Sequence, residues 1–70
     1  MSAAPLHNRL KVLRAERGMT QADLAEAAGV SRKTINTIEN RVFVPSTVLA
    51  LTLARVLGCA VEEIFSLADE

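Results

Sequence analysis

Seventy residues, half of them apolar but only 3% aromatic, make one small domain whose core must be aliphatic, and a core this small gains from dimerisation. No run approaches the roughly 18 apolar residues of a membrane span, and the opening Met-Ser-Ala-Ala-Pro lacks the charged and hydrophobic regions of a signal peptide. The single cysteine, Cys59, excludes an internal disulfide and a cysteine-based metal cluster, and zero net charge leaves any polyanion binding to the distribution of charge rather than its total.

Residues 1–5 read as a disordered N-terminus. Leu6 or His7 to about Arg17 reads as the first helix, with Leu6, Leu10 and Leu13 inward and Gly18 as its stop. His7 reads as a surface residue. The second helix runs from Thr20 to Ala28. Thr20 caps it, Asp23 sits at its positive end, and Leu24, Ala25 and Ala28 form one apolar stripe. Ala25 lies where two crossing helices come closest, so its small side chain lets them approach. Gly29 stops this helix, because glycine adopts the left-handed conformation at little cost. Val30 plugs the junction that follows.

Ser31 caps the third helix, which runs to Asn40. Ile35 and Ile38, three residues apart, point to the core. Arg32, Lys33, Asn36 and Thr37 lie on the outer side. Two capped helices around a tight glycine turn have the layout of a helix-turn-helix, whose second helix enters the DNA major groove. Arg pairs with guanine O6 and N7, Asn with adenine N6 and N7, and Lys with guanine or phosphate. An ordinary solvated helix face carries the same residue types. The paired caps, the small residue at the crossing and the glycine turn favour readout.

Arg41 to Val44 form a connecting loop. Pro45 blocks helix continuation, and Ser46 caps a fourth helix from Thr47 to Leu57, whose inward stripe is Leu49, Ala50, Leu53, Ala54 and Leu57. Gly58 ends it. A short fifth helix spans about Val61–Phe65. No strand signal stands out, and Phe43 and Phe65 are expected to join the aliphatic core. Residues 6–66 make up the folded domain and 67–70 a short acidic tail. All eight Lys and Arg fall before residue 56, and residues 62–70 carry four acids and no base. That polarity suits docking on a polyanion in one orientation.

Catalytic groups are scarce. His7 stands alone, Cys59 has no basic neighbour to lower its pKa, and Glu62-Glu63 read as surface charge at a helix N-terminus. No enzyme activity, cofactor, metal or small-molecule ligand is expected.

From about Asn8 to Phe65 the sequence resembles the phage repressor and Cro type of helix-turn-helix regulator, the XRE family. The resemblance rests on Leu10, Leu13 to Gly18, Thr20-Gln21, Leu24-Ala25, Gly29-Val30-Ser31, Ile35, Ile38-Glu39-Asn40, Pro45-Ser46, and Leu57-Gly58 leading to Glu62-Glu63-Ile64-Phe65. It implies an all-α, lambda-repressor-like bundle of five short helices that binds double-stranded DNA as a homodimer on a palindromic operator, most simply as a cytoplasmic repressor. By position it assigns base contacts to Arg32, Lys33, Asn36 and Thr37. It assigns phosphate contacts to Gln21, Ser31, Asn40 and the Arg41–Phe43 backbone, and an internal salt bridge to Arg14 and Glu39. The family often has glycine where Arg41 stands, so Arg41 either takes a positive φ or the loop differs. Val12, Val48 and Val56 lie on faces that are usually polar. The dimer contact is placed around the last two helices, at Val56, Cys59, Val61 and Phe65. An antitoxin or a restriction–modification controller are variants of the same reading. A protein-interaction module on this fold is the reading from another class.

Overall fold

Every helix contributes to one aliphatic core. Leu10 and Leu13, Leu24 and Ala25, Ile35 and Ile38, Leu53, Ala54 and Leu57, and Ile64 are all buried. The computed structural model describes residues 6–67; the segments 1–5 and 68–70, including most of the expected acidic tail, lie outside it. The elements in order are β1 (Leu6–Asn8), α1 (Leu10–Glu16), α2 (Gln21–Ala28), α3 (Arg32–Glu39), α4 (Thr47–Leu57), α5 (Val61–Ile64) and β2 (Phe65–Leu67). Five short helices around this core are the lambda-repressor-like architecture that the sequence implies.

Local chemistry sets the ends of the three central helices. Thr20 and Asp23 exchange hydrogen bonds at the start of α2: the Asp23 N–H donates to Thr20 Oγ1 and the Thr20 N–H donates to Asp23 Oδ2, each at 2.9 Å. Ser31 Oγ accepts from the Thr34 N–H at 3.1 Å, and Ser46 Oγ from the Leu49 N–H at 3.1 Å. Gly29 closes α2 with φ of 76°, a left-handed conformation that a β-carbon would strain. The chain then turns at once into α3, and the Val30 N–H returns to the Ala25 carbonyl at 3.0 Å. Ala25 is buried and Val30 packs on the core edge, so α2 and α3 cross closely.

Two features depart from the sequence reading. The first helix begins at Leu10 rather than at Leu6 or His7. Leu6–Asn8 instead pair antiparallel with Phe65–Leu67, with Leu6 opposite Leu67 and Asn8 opposite Phe65. Asn8 Oδ1 accepts from the Leu10 N–H at 3.2 Å, and the Arg9 N–H donates to the Ile64 carbonyl at 2.8 Å. Those bonds hold the chain out of helical geometry until Leu10. Leu6 is therefore half-buried on a strand, and Leu67 belongs to the ribbon rather than to a tail. The same pairing ends α5 at Ile64, since Phe65 is extended at φ −119°.

The second departure is Phe43, expected in the core and found 46% exposed. The backbone turns sharply at Arg41, whose φ is 63°, and carries Phe43 out beside Thr37. Phe65 packs against the core from its edge.

Candidate nucleic-acid interface

The outer face of α3 is set by helical spacing. At about 100° per residue, Ile35 and Ile38 take one side, and Arg32, Asn36, Asn40, Lys33 and Thr37 sweep across the other. Both isoleucines are buried, whereas Arg32, Lys33, Asn36 and Asn40 are exposed. Arg32, Lys33 and Asn36 line one shallow concavity. Lys33 also borders a second, formed with Ser31, Thr34, Thr37, Val42 and Phe43. Lys33 thus stands at the centre of the exposed face.

Thr37 sits at the rim, half-buried. Its hydroxyl donates to the Thr34 carbonyl at 2.9 Å, and its own carbonyl accepts the N–H groups of Val42 and Phe43 at 2.9 and 3.2 Å. The Arg41 N–H donates to the Ile38 carbonyl at 3.0 Å. All three backbone donors of the Arg41–Phe43 loop are therefore spent on closing the C-terminus of α3. That leaves the guanidinium of exposed Arg41, next to His7 of β1, as the loop's outward cation.

Beneath the face lies a polar network that joins three helices. Arg14 of α1 donates through Nε to Glu39 Oε2 at 2.7 Å and through Nη2 to Glu39 Oε1 at 3.3 Å, and its Nη1 reaches the Met19 carbonyl at 2.8 Å. The Arg14 and Glu39 side chains are 13% and 3% exposed. The hydrogen bond that Arg14 donates to Glu39 raises the Arg14 pKa above its ordinary value, against the opposing effect of desolvation. Gln21, the first residue of α2, adds Nε2 to the same carboxylate at 3.0 Å and to Asn36 Oδ1 at 3.2 Å. Asn40 Nδ2 bonds the Asn36 carbonyl at 2.9 Å and Asn36 Oδ1 at 3.1 Å. Ser31 Oγ lies 3.0 Å from Thr34 Oγ1 in addition to capping α3.

A helix-turn-helix family model matches residues 10–64, which spans α1 to α5. The chain belongs to the helix-turn-helix family of regulators. It falls in that family's phage repressor and Cro branch. An uncharacterised HTH-type transcriptional regulator of Methanocaldococcus jannaschii is 43% identical over 65 residues, covering 93% of this chain and 98% of the relative. Among solved structures, the restriction–modification controller C.AhdI of Aeromonas hydrophila superposes with a TM-score of 0.76 at 33% identity, over 79% of this chain and 83% of that one. SinR of Bacillus subtilis, the master regulator for biofilm formation, in a complex with DNA, superposes with a TM-score of 0.73 at 33% identity, over 77% of this chain and 87% of the SinR chain in that structure.

At the other end of this helix-turn-helix domain, Val56, Cys59, Val61 and Phe65 are half-buried and packed against their own core. The large apolar side chains left open there are Val48, Leu51 and Leu67, at 75%, 54% and 75% exposure. Leu51 borders an apolar groove with Leu6, Pro45, Ala50, Val61 and Phe65. The sequence reading missed Leu51 and Leu67. Leu51 falls off the inward stripe of α4, which was the available signal; the position of Leu67 depends on the unforeseen strand. Among the described residues no group of His, Cys, Asp and Glu is arranged to hold a metal ion, and no helix is long and apolar enough to cross a membrane.

Proposed function

We propose that this chain is a sequence-specific double-stranded DNA-binding transcriptional regulator that acts in the cytoplasm as a repressor. It binds a palindromic operator as a homodimer, with two α3 helices in successive major grooves about 34 Å apart. The observation that carries this reading is the exposed row of Arg32, Lys33 and Asn36 on α3, backed by buried Ile35 and Ile38. Long donors from the first turns of a capped helix suit base edges in the major groove. Thr37 borders this row, and Ser31, Gln21, Asn40 and Arg41 flank it where phosphates would pass.

Dimerisation is assigned to the α4–α5 end, to half-buried Val56, Cys59, Val61 and Phe65, of which Val61 and Phe65 border the same groove as exposed Leu51. A core of this size gains stability from such a contact. The deciding experiment is binding of the purified chain to its own upstream DNA with excess nonspecific competitor across a salt series. Competitor-resistant binding that falls steeply with salt, with two symmetric half-sites in a footprint, supports an autoregulating dimer. Binding no stronger than to competitor, both there and in a genomic-fragment selection, rejects the reading in favour of an interaction module on this fold.

A further inference from the structure

The side-chain amide of Asn36 has one orientation, set from the charge of Glu39. The Glu39 carboxylate can only accept, so the Gln21 group 3.0 Å away must be its NH2. That nitrogen has one remaining hydrogen, directed at an Asn36 atom 3.2 Å away, which must therefore be an acceptor, Oδ1. Asn40 imposes the same orientation from the other side. The Asn40 group 2.9 Å from the Asn36 backbone carbonyl must be an NH2, and it lies 3.1 Å from the same Asn36 atom. Two anchors, a carboxylate and a backbone carbonyl, thus agree on one orientation of the Asn36 amide. A carbonyl oxygen has two lone pairs, and Gln21 and Asn40 fill both.

We infer that Asn36 reads DNA as a donor only, through Nδ2, and selects a G·C pair rather than the A·T pair that asparagine ordinarily selects. The inference rests on the DNA-binding function proposed above and deepens it. Bidentate recognition of adenine needs the asparagine carbonyl to accept from N6 while the amide donates to N7. In this chain that carbonyl is occupied. Guanine presents two adjacent acceptors, O6 and N7, which suit an amide that only donates. The neighbouring side chains in the same concavity, Arg32 and Lys33, also only donate. The surface formed by the three is therefore uniform in polarity and matches an acceptor-rich stretch of groove. Gln21 and Asn40 act as positioning residues, and Arg14 acts one step further back by holding Glu39.

The test is selection of binding sites from a random duplex library by the purified chain, with Asn36→Ala and the double variant Gln21→Met/Asn40→Ala run in parallel. Circular dichroism checks that each variant is folded. The expected result is that Asn36→Ala loses preference at a single pair of each half-site, by about 5- to 100-fold, and that the wild type selects G·C there. Freeing the Asn36 carbonyl in the double variant then moves that same pair toward A·T. Either single substitution gives a partial move, so the test survives if the double variant does not fold. A purely structural role for Gln21 and Asn40 lowers affinity and leaves base preference alone. Wild-type selection of A·T at the pair that Asn36→Ala alters overturns the inference. So does an Asn36→Ala variant with unchanged preference, or a folded double variant that keeps G·C. If the wild type enriches no sequence, the DNA-reading function itself is rejected, and the inference with it.

Discussion

Asn8 donates its side-chain amide to the backbone carbonyl of Ile38 at 3.0 Å, which ties the end of β1 to the last turn of α3. The same side chain accepts from the Leu10 N–H at 3.2 Å and so opens α1. One amide thus serves two helix termini: it supplies the Leu10 N–H with an acceptor and the Ile38 carbonyl with a second donor beside the Arg41 N–H. Asn8→Ala is expected to cost about 1–3 kcal/mol, because it deprives the Leu10 N–H of its partner and the Ile38 carbonyl of one of its two donors. In urea, the midpoint should fall with little change in slope. An unchanged midpoint would show that water replaces both contacts.

The Arg14–Glu39 pair calls for a different experiment, since both side chains are largely withdrawn from water. Arg14→Met leaves the Glu39 carboxylate in place with only Gln21 to neutralise its acceptors. The expected loss is about 3 kcal/mol, at the low end for breaking a buried pair. Replacing both residues, Arg14→Met with Glu39→Leu, should recover much of it, since no stranded charge remains. A double variant no better than Arg14→Met alone would mean that the pair contributes more than its own charges.

Base contacts and phosphate contacts separate by their dependence on sequence and salt. Arg32→Ala should weaken binding to the preferred site by about 1–3 kcal/mol and relax selectivity at one base pair. The salt dependence should change little if Arg32 meets a base. Retained selectivity at every pair would remove Arg32 from the readout set.

How much of this was legible beforehand follows from the range of the interactions. The starts of α2, α3 and α4 were readable because Thr20, Ser31 and Ser46 each bond an N–H three residues on. The ribbon was not, because Leu6 and Leu67 come from opposite ends of the described chain and three-residue strands carry no usable alternation. The outer face of α3 was readable from spacing alone. Asn36 was read correctly as lying on that face, but its hydrogen-bonding state was not accessible. That state depends on Glu39, which Arg14 holds from another helix. Apolar character alone places Phe43 in the core, whereas the left-handed turn at Arg41 carries it out to the surface.

The acid sensitivity of the fold has a definite sign. Hydrogen bonds from the Thr20 backbone N–H and then its hydroxyl lower the pKa of Asp23 below its ordinary value. A lowered folded-state pKa means that the charged carboxylate stabilises the native state. That contribution is complete above the unfolded value of about 3.9 and is lost as pH falls through the lower folded value. Asp23→Asn should therefore flatten the decline in urea midpoint below about pH 4 while leaving the decline due to other acids. A decline identical to the wild type would show that the cap does not couple to Asp23 ionisation.

Arg41 sets stability against binding. Its φ of 63° is one that a β-carbon makes costly, by about 1–2 kcal/mol. Glycine removes that strain but raises the entropy of the unfolded chain, by about 0.4–1 kcal/mol. Arg41→Gly should accordingly stabilise the fold by about 0–1.6 kcal/mol. It should also remove the loop's outward cation, weaken binding to all DNA sequences about equally, and reduce the salt slope by about 1. Thermal melts and a salt titration on the same sample measure both effects. Arg41→Lys distinguishes their causes: it should restore the salt slope and the strain together. A glycine variant that gains stability without losing salt dependence would place Arg41 away from the phosphate backbone and leave the loop with a structural role alone.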